Sequence, residues 1–397
     1  MKSRSLLAVI IGAAIALAGA VATPSAQVVW QDVIRNLRHP DRAVRLAAVQ
    51  QLGRATYVAA ADAVAQLIVD PDDRVQQAAI EAEMLFFLID EFEDTQAAFN
   101  AGPLVRGALP APPVVVDRLI AAMRDENERI RFDAVHALGA IAEAPISASQ
   151  VEALSDQFEH YDPIVRAMTC RVFGRLRVAE VAPELIVALG DSSPIVREFA
   201  LVALGRVRAE TAVPHLLSML IRERERDSLA PQALLAMARI APASGLDHFR
   251  KRLADKNALM RRAAVEGIGR LKDRDSIDAV KQILAKDKSN EVRLAAHFAL
   301  NALGEVQTHH LAAAMVLRDV GFVARDYLLE IGRPAVPGIE SALKVAKDAR
   351  HRADLVQLVG FIGGREDVSI VRPFLQDKNK RVAYVTDNTI VRLNQRQ

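Results

Sequence analysis

A stretch of seventeen residues occurs twice in nearly the same form in this chain, and this repetition limits the possible folds more than any other feature. Residues 192–208 read SSPIVREFALVALGRVR, and residues 162–178 read DPIVRAMTCRVFGRLRV. Equivalents of the valine in IVR recur mostly every 31 to 35 residues, at Val44, Val75, Ile130, Val165, Val196, Leu229, Met260, Val292, Val323, His351 and Val382. A fixed period of about 20 to 50 residues is typical of solenoids and other repeat arrays.

The columns of this repeat describe the start and one face of a helix. Three residues before the valine, nine of the eleven units have Asp, Asn or Ser, which cap helix N-termini. Pro163 and Pro194 follow at the first helical position, where proline is favoured. Four residues after the valine, seven units have alanine, and eight residues after it ten units are apolar, so these positions form one helical stripe.

The end of the phrase and the segment after it complete the unit. Nine residues after the valine, seven units have glycine, where the helix ends or a neighbouring backbone comes too close for a Cβ. A second amphipathic segment follows, for example VAPELIVALGD at 181–191. Because one helix pair cannot bury its apolar face alone, we predict an all-α fold, an α-solenoid of about eleven stacked helix-turn-helix units.

The pattern Asp/Asn-x-x-Val-Arg-x-x-Ala-x-x-x-Leu-Gly resembles the HEAT-like repeats of the phycobilisome-lyase type, which belong to the armadillo-type folds. The resemblance covers nearly all of residues 28–397. It implies a right-handed superhelix whose second helices line the concave surface. It leaves the function open, because such repeats serve as scaffolds, adaptors, chromophore lyases and DNA glycosylases.

The first 26 residues resemble a bacterial secretory signal. Lys2 and Arg4 precede an apolar run from Leu6 to Ala22, and the run ends in small residues. We therefore expect residues 1–26 to be a signal peptide, residues 27–397 to form one continuous solenoid, and the protein to be periplasmic or secreted. The alternative is an inner-membrane anchor formed by residues 6–22, and we expect membrane contact only in that case.

Charge and cysteine content exclude some functions. Without residues 1–26, which contain two basic and no acidic residues, the chain has 49 of each. A protein without excess positive charge is a poor candidate for binding nucleic acid, so no nucleic-acid partner is expected. Cys170 is the only cysteine, so the fold contains no internal disulfide.

Two arginine columns suggest structural and binding roles. The first directly follows the valine, and the resemblance implies that it forms a ladder to the capping acid of the next unit: Arg45, Arg131, Arg166, Arg197, Arg261, Arg293 and Arg352. Pairing within one unit, as between Asp41 and Arg45, is also open. The second column, ten residues after the valine, complements the helix dipole or forms a basic ridge for an acidic partner. From it we select Arg175, Arg206 and Arg270 as candidate partner-binding residues.

The regular spacing of the repeat is interrupted between Val75 and Ile130, which are 55 residues apart. The excess defines an insertion at about 85–113, with several phenylalanines followed by a segment rich in proline and glycine. Long loops in compact arrays are often functional. We predict that the insertion contacts a partner through Phe87, Phe92, Phe99 and Arg106. The alternative is a lengthened helix that covers its own apolar residues.

Catalytic signatures are missing from the sequence. The nine histidines are scattered without metal-ligand spacing, and Cys170 is typical of a small core residue. We therefore expect no catalytic residue, no metal and no cofactor. The favoured function is an exported, non-catalytic scaffold or adaptor that binds a protein partner through its concave face and the insertion. The alternative is a solenoid enzyme, lyase-like or glycosylase-like, with a carboxylate in the concave groove.

Overall fold

A computed structural model describes residues 30–87, 111–141, 146–221 and 229–395, and within these ranges it contains helices and no strands. Eleven of the helices carry the repeated phrase, one for each unit, and we call them signature helices. They are Arg42–Arg54, Asp73–Phe87, Glu128–Ile141, Pro163–Leu176, Pro194–Val207, Ala230–Ile240, Ala258–Arg270, Asn290–Ala302, Gly321–Ile331, Ala349–Ile362 and Lys380–Gln395.

Connecting helices alternate with the signature helices along the described chain. Many of them follow a short 3₁₀ turn, as Glu210–Ala212 leads into Val213–Ile221. They are Trp30–Asn36, Ala61–Ala65, Pro113–Ala122, Ala148–Ser155, Ala182–Ala188, Val213–Ile221, Leu246–Arg252, Ile277–Lys286, Thr308–Ala314, Val336–Val345 and Val368–Val371. The all-α solenoid of helix pairs is confirmed, whereas the handedness of its superhelix stays a prediction.

The capping column begins the signature helices as the sequence indicates. The Asp41 carboxylate accepts from the amide of Ala43, Asp162 from Ile164, and Asn257 from Leu259. Pro163 and Pro194 occupy the first helical turn. These contacts satisfy amide groups that have no partner inside the helix.

The glycine column marks close packing between neighbouring signature helices. A Cβ on Gly174 would lie 2.7 Å from the Cα of Ala203, and one on Gly269 would lie 2.6 Å from the Cα of Ala299. Both glycines lie within their helices, which continue for one or two residues beyond them. Of the two interpretations of this column, close approach therefore applies here. Gly332, at φ 71°, is a position where the helix does end.

The alanine column lies in the core. Ala79, Ala134, Ala200, Ala264 and Ala296 are fully buried, and a single cluster of buried apolar side chains runs through the described part of the stack. Small side chains at this position let adjacent helices approach, as the periodicity predicts. The repeated phrase is therefore the packing surface of the solenoid.

Two predicted segments are not covered by the structure. Residues 1–26 lie outside the described residues, and so does most of the insertion, residues 88–110. Among the helices that the structure describes, none is both long enough and apolar enough to cross a membrane.

Candidate functional site

The first arginine column forms a ladder between repeats. Four arginines each donate two hydrogen bonds to one aspartate of the next unit, as Arg166 Nε does to Asp191 Oδ2 at 2.8 Å. They are Arg45, Arg166, Arg261 and Arg352. The same guanidinium groups donate to carbonyls of their own turn, as Arg166 Nη1 does to His160 O at 2.7 Å. Such two-pronged pairs fix the geometry between units.

The acid on this ladder is mostly not the capping residue that the resemblance implied. In those four pairs the aspartate lies two residues before the capping residue. Besides binding the arginine, it accepts a hydrogen bond from the backbone amide of the capping residue, as Asp191 does from Ser193. Arg131 differs, because it bonds the capping Asp162 itself at 2.8 Å. Arg197 and Arg293 donate to carbonyls of their own turn, Arg197 to Asp191 and Arg293 to Asp287. The hydrogen bond from Arg166 lowers the pKa of Asp191, which stays ionised.

The second arginine column surrounds a pocket. A cavity of about 360 Å³ opens on the signature helices, at the lower end of the volumes of about 300 to 1,000 Å³ that small-molecule sites occupy. Nine arginines line it against two carboxylates, Asp326 and Glu330. The arginines are Arg175, Arg177, Arg206, Arg208, Arg239, Arg262, Arg270, Arg325 and Arg392.

Two positions of the repeat supply most of these arginines. Arg175, Arg206, Arg239, Arg270 and Arg392 stand ten residues after the valine of their units. Arg177 and Arg208 stand two residues further on, at helix ends, with φ of 57° and 56°. This left-handed conformation is unusual for residues other than glycine.

Some of the column arginines also hold the stack together. Arg175 Nη2 donates to Ala140 O at 2.8 Å, and Arg270 Nη1 donates to Ala238 O at 3.1 Å. Both carbonyls lie at or near the C-terminus of the preceding signature helix, where backbone acceptors lack helical partners. The sequence suggested that these arginines complement their own helix, but these two bond the neighbouring one.

The pocket lies on the concave side of the stack, because repeats that are not adjacent meet across it. Arg270 pairs with Glu330 at 2.7 Å although two units separate their valines, and Arg208 lies 3.9 Å from the same carboxylate across four units. Arg239 lies 3.8 Å from Asp326. Signature helices and the turns directly after them line the pocket, so the expectation that second helices line the concave surface is wrong at this site.

A buried charge network lies behind one wall, where Arg262, Arg270 and Tyr327 line the pocket. Glu266 is fully buried and accepts from Arg262 at 2.9 Å, from Arg270 at 2.7 Å and from the hydroxyl of Tyr327 at 2.5 Å. Burial alone would raise the pKa of Glu266, but Arg270 and Arg262 outweigh it and lower the pKa to about 2. The carboxylate is therefore ionised and fully bonded.

The lining also contains an aromatic ring near two arginines. Phe361 occupies the arginine column of its unit, and the guanidinium carbons of Arg392 and Arg325 lie 4.5 Å and 5.9 Å from its ring centre. Such cation–π contacts hold guanidinium groups over an apolar surface. The ring thus positions two arginines at the pocket.

Arg206 has a different environment from Arg270. Among the described residues, its guanidinium makes no hydrogen bond or ion pair, although the side chain is half-buried in the lining of the pocket. Burial, and then the charge of Arg239, lower the pKa of Arg206 to about 10, while Asp326 opposes the shift. Arg206 therefore carries a positive charge that its surroundings compensate poorly.

The structure brings together three of the seven residues proposed to bind a partner, Arg175, Arg206 and Arg270. Phe87 is only 2% exposed and meets Phe86 edge to face at 6.3 Å, so it is a core residue rather than the contact residue that the sequence suggested. Phe92, Phe99 and Arg106 lie outside the described residues.

Sequence reasoning missed several lining residues. Arg177 and Arg208 are marked by a signal in the repeated phrase itself, because its two copies contain GRLR and GRVR. Phe361 occupies the position of the second arginine column but is not an arginine, and Arg262 and Arg325 lie outside both arginine columns, so neither the residue type nor the spacing pointed to these three.

Comparison with known proteins agrees with the repeat. The pattern that describes HEAT repeats matches residues 151–237, 221–301 and 246–331. Residues 151–331 of the solenoid are therefore HEAT repeats. The chain is also similar to a protein of Pseudanabaena tenuis (strain PCC 7409) named uncharacterized phycocyanin operon protein Z, 26% identical over 167 residues, which are 40% of this chain and 80% of that protein.

Two solved structures resemble this HEAT-repeat solenoid over most of its length. A crystal structure of an engineered protein covers 94% of this chain and 100% of its own, with 14% identity and a TM-score of 0.36. The crystal structure of Kap121p bound to RanGTP covers 91% of this chain and 39% of its own, with 16% identity and a TM-score of 0.36. Neither superposition is close enough to support an argument about function.

Proposed function

We propose that this protein is a non-catalytic HEAT-repeat scaffold that binds an acidic segment of a protein partner in the arginine-rich pocket. One observation carries the proposal, the lining of nine arginines against two carboxylates. A concave site lined by one sign of charge concentrates ligands of the opposite sign. Arginine presents its donors in a planar fork that matches carboxylate and phosphate groups.

Glu330 in the pocket and Glu266 behind its wall favour a scaffold over an enzyme that uses an acid in the groove. Glu266 is ionised and takes three hydrogen bonds, so it has no proton to donate near neutral pH. Glu330 is bonded to Arg270 through both oxygens, at 2.7 Å and 2.8 Å. Both carboxylates are thus held by arginines, whereas a general acid must reach its substrate with a proton.

The insertion at about 85–113 adds a second contact to the same partner in this proposal. Phe92, Phe99 and Arg106 are its candidate contact residues, since Phe87 is buried in the core. The protein acts after export, directed by residues 1–26. N-terminal sequencing of the protein isolated from the envelope fraction checks this, because a retained Met1 would instead support the anchor formed by residues 6–22.

Fluorescence anisotropy with a labelled oligoglutamate peptide tests the pocket. We expect wild type to bind this peptide, to bind an oligoglutamine peptide far more weakly, and to lose affinity as salt rises. The double variant Arg177→Gln/Arg206→Gln should lose about tenfold in affinity, a change of about 1.4 kcal/mol. Arg54→Gln is the matched control, because Arg54 occupies the same column but lies outside the pocket.

Equal binding of oligoglutamate by wild type and the double variant would contradict the proposal, as would no binding at all. Capture from the envelope fraction then identifies the partner. Wild type, the double variant and a chain with residues 88–110 replaced by a Gly/Ser loop should be compared. A partner held by wild type and lost by both variants supports both contacts.

A further inference from the structure

The pocket is better suited to a phosphate group than to a lone carboxylate. The arginine ladder of the same protein shows how few arginines a carboxylate needs. On the ladder, one arginine satisfies one carboxylate, as Arg166 does for Asp191 through two bonds at 2.8 Å and 2.9 Å. A carboxylate offers two oxygens and one charge. A phosphate monoester offers three oxygens and a charge of about −1.5 to −2 at neutral pH.

The surroundings of Arg206 bring several guanidinium groups to one place. Arg239, Arg171 and Arg177 all act on its charge, and Asp326 opposes them. Arg239 holds Asp326 only at 3.8 Å, near the limit of an ion pair. Arg239 and Arg206 therefore both have donors that are not committed to a tight carboxylate pair among the described residues.

Two further arginines lie at the edge of this cluster. Arg177 and Arg208 end consecutive signature helices in the left-handed conformation, which costs a residue with a Cβ about 1 kcal/mol or more. Ala241 and Lys272 adopt the same conformation in the next two units, so the fold requires the conformation and not the side chain. Arginine at two adjacent units places two more charges at the mouth of the pocket.

We propose that the acidic group the pocket selects is a phosphate group, anchored on Arg206 between Arg177 and Arg239. This inference rests on the proposed function and names the chemistry of its ligand. Clusters of arginine are a recurring way to recognise phosphorylated segments, because several forks converge on one tetrahedral group. The same chemistry fits a phosphorylated side chain of the partner and a free phosphate compound.

The first experiment uses inorganic phosphate as the probe, with succinate at equal ionic strength as the comparison. Ligand that binds only the folded state raises the melting temperature. We expect phosphate to raise the melting temperature of wild type and to bind about tenfold tighter than succinate in calorimetry. Arg206→Gln should abolish this preference, whereas Arg54→Gln should keep it.

The Arg206→Gln variant should remain folded. It removes a poorly compensated charge from a cluster of like charges, so its melting temperature without ligand should equal or exceed that of wild type. Arg206→Lys keeps the charge without the fork and should retain only part of the phosphate preference. Phosphate that stabilises wild type and Arg206→Gln equally would overturn the inference.

The second experiment separates the sources and the two proposals. The oligoglutamate peptide is compared with the same peptide carrying phosphoserine at its central position. Binding of the phosphopeptide about tenfold tighter supports a phosphorylated partner. Preference for inorganic phosphate without preference for the phosphopeptide supports a free phosphate compound as the source. If the two peptides bind equally, and phosphate and succinate also bind equally, the phosphate site is refuted but the proposal of an acidic partner is not. If neither peptide binds, both proposals are refuted.

Discussion

Glu83 interrupts the apolar stripe of the signature helices. It stands eight residues after Val75, where the other ten units have an apolar side chain. It is fully buried, and neither of its carboxylate oxygens has a hydrogen-bond partner among the described residues. Burial, with a smaller contribution from the charge of Asp62, raises the pKa of Glu83 to about 9. The folded protein therefore holds this carboxyl in its neutral form at physiological pH.

This burial makes stability depend on pH. Because the pKa is higher in the folded state than in the unfolded one, the folded state binds more protons between the two values, and stability falls as pH rises through that window. The cost at pH 7 is about 3 kcal/mol. We expect Glu83→Leu to raise the free energy of unfolding at pH 7 by up to that amount and to flatten its fall between about pH 5 and 8. Urea unfolding at several pH values measures both effects.

Glu81→Leu is the matched control, because Glu81 is exposed on the same helix. It should leave the pH dependence unchanged. A Glu83→Leu protein whose stability falls with pH as steeply as that of wild type would show that Glu83 is not buried in its neutral form.

At the scale of helices, one glycine column contains two different packing environments. A Cβ on Gly269 would lie 2.6 Å from the Cα of Ala299, whereas one on Gly139 would meet nothing nearer than a Val172 methyl at 3.7 Å. The first distance is a clash with backbone and the second is an ordinary contact. The same substitution should therefore have opposite effects at the two sites.

We expect Gly139→Ala to stabilise the protein by about 0.5 to 1 kcal/mol, since alanine favours a helix interior over glycine. Gly269→Ala should destabilise it by about 1 to 3 kcal/mol, because the helix Asn290–Ala302 must move away. Thermal and urea unfolding of both variants give the comparison. Equal changes at the two sites would mean that this column reports helix propensity and not close packing.

At the scale of the whole molecule, charges on one helix help to close the concave face. Gly321–Ile331 carries Asp326 and Glu330, whose carboxylates face arginines of units two to four repeats away. Without these carboxylates, nine arginines would repel one another across the pocket. The curvature of the stack is thus coupled to the charge of the pocket.

Replacing both acids should open the solenoid. We expect Asp326→Asn/Glu330→Gln to increase the radius of gyration at low ionic strength, measured by small-angle X-ray scattering, and added salt should reduce the difference. Glu340→Gln, a change outside this pocket, is the control and should leave the radius unchanged. An unaltered radius in the double variant would show that helix packing alone sets the curvature.

Much of the local structure follows from sequence because its causes are local. Capping by Asp41 or Asn257, proline at the first turn and the buried alanine column depend on residues within one helix or its neighbour, and a period of about 31 residues exposes them. The ladder column was likewise identifiable, although its acid lies two residues before the expected cap. Fold class and repeat boundaries therefore need no tertiary information.

The pocket follows from the sequence only in part. The second arginine column and the GRLR and GRVR endings can be recognised in the sequence. The structure places Arg175, Arg206 and Arg270 of that column in one pocket. The sequence does not predict the contact between Arg208 and Glu330, which are four units apart. It also does not predict the hydrogen bond from Tyr327 to Glu266. The sequence by itself determined the helices, their order and which of their faces pack together. Only the tertiary structure decided which charged side chains share the pocket. The reason is that small rotations between neighbouring repeats add up over many repeats to a curvature that no single repeat encodes.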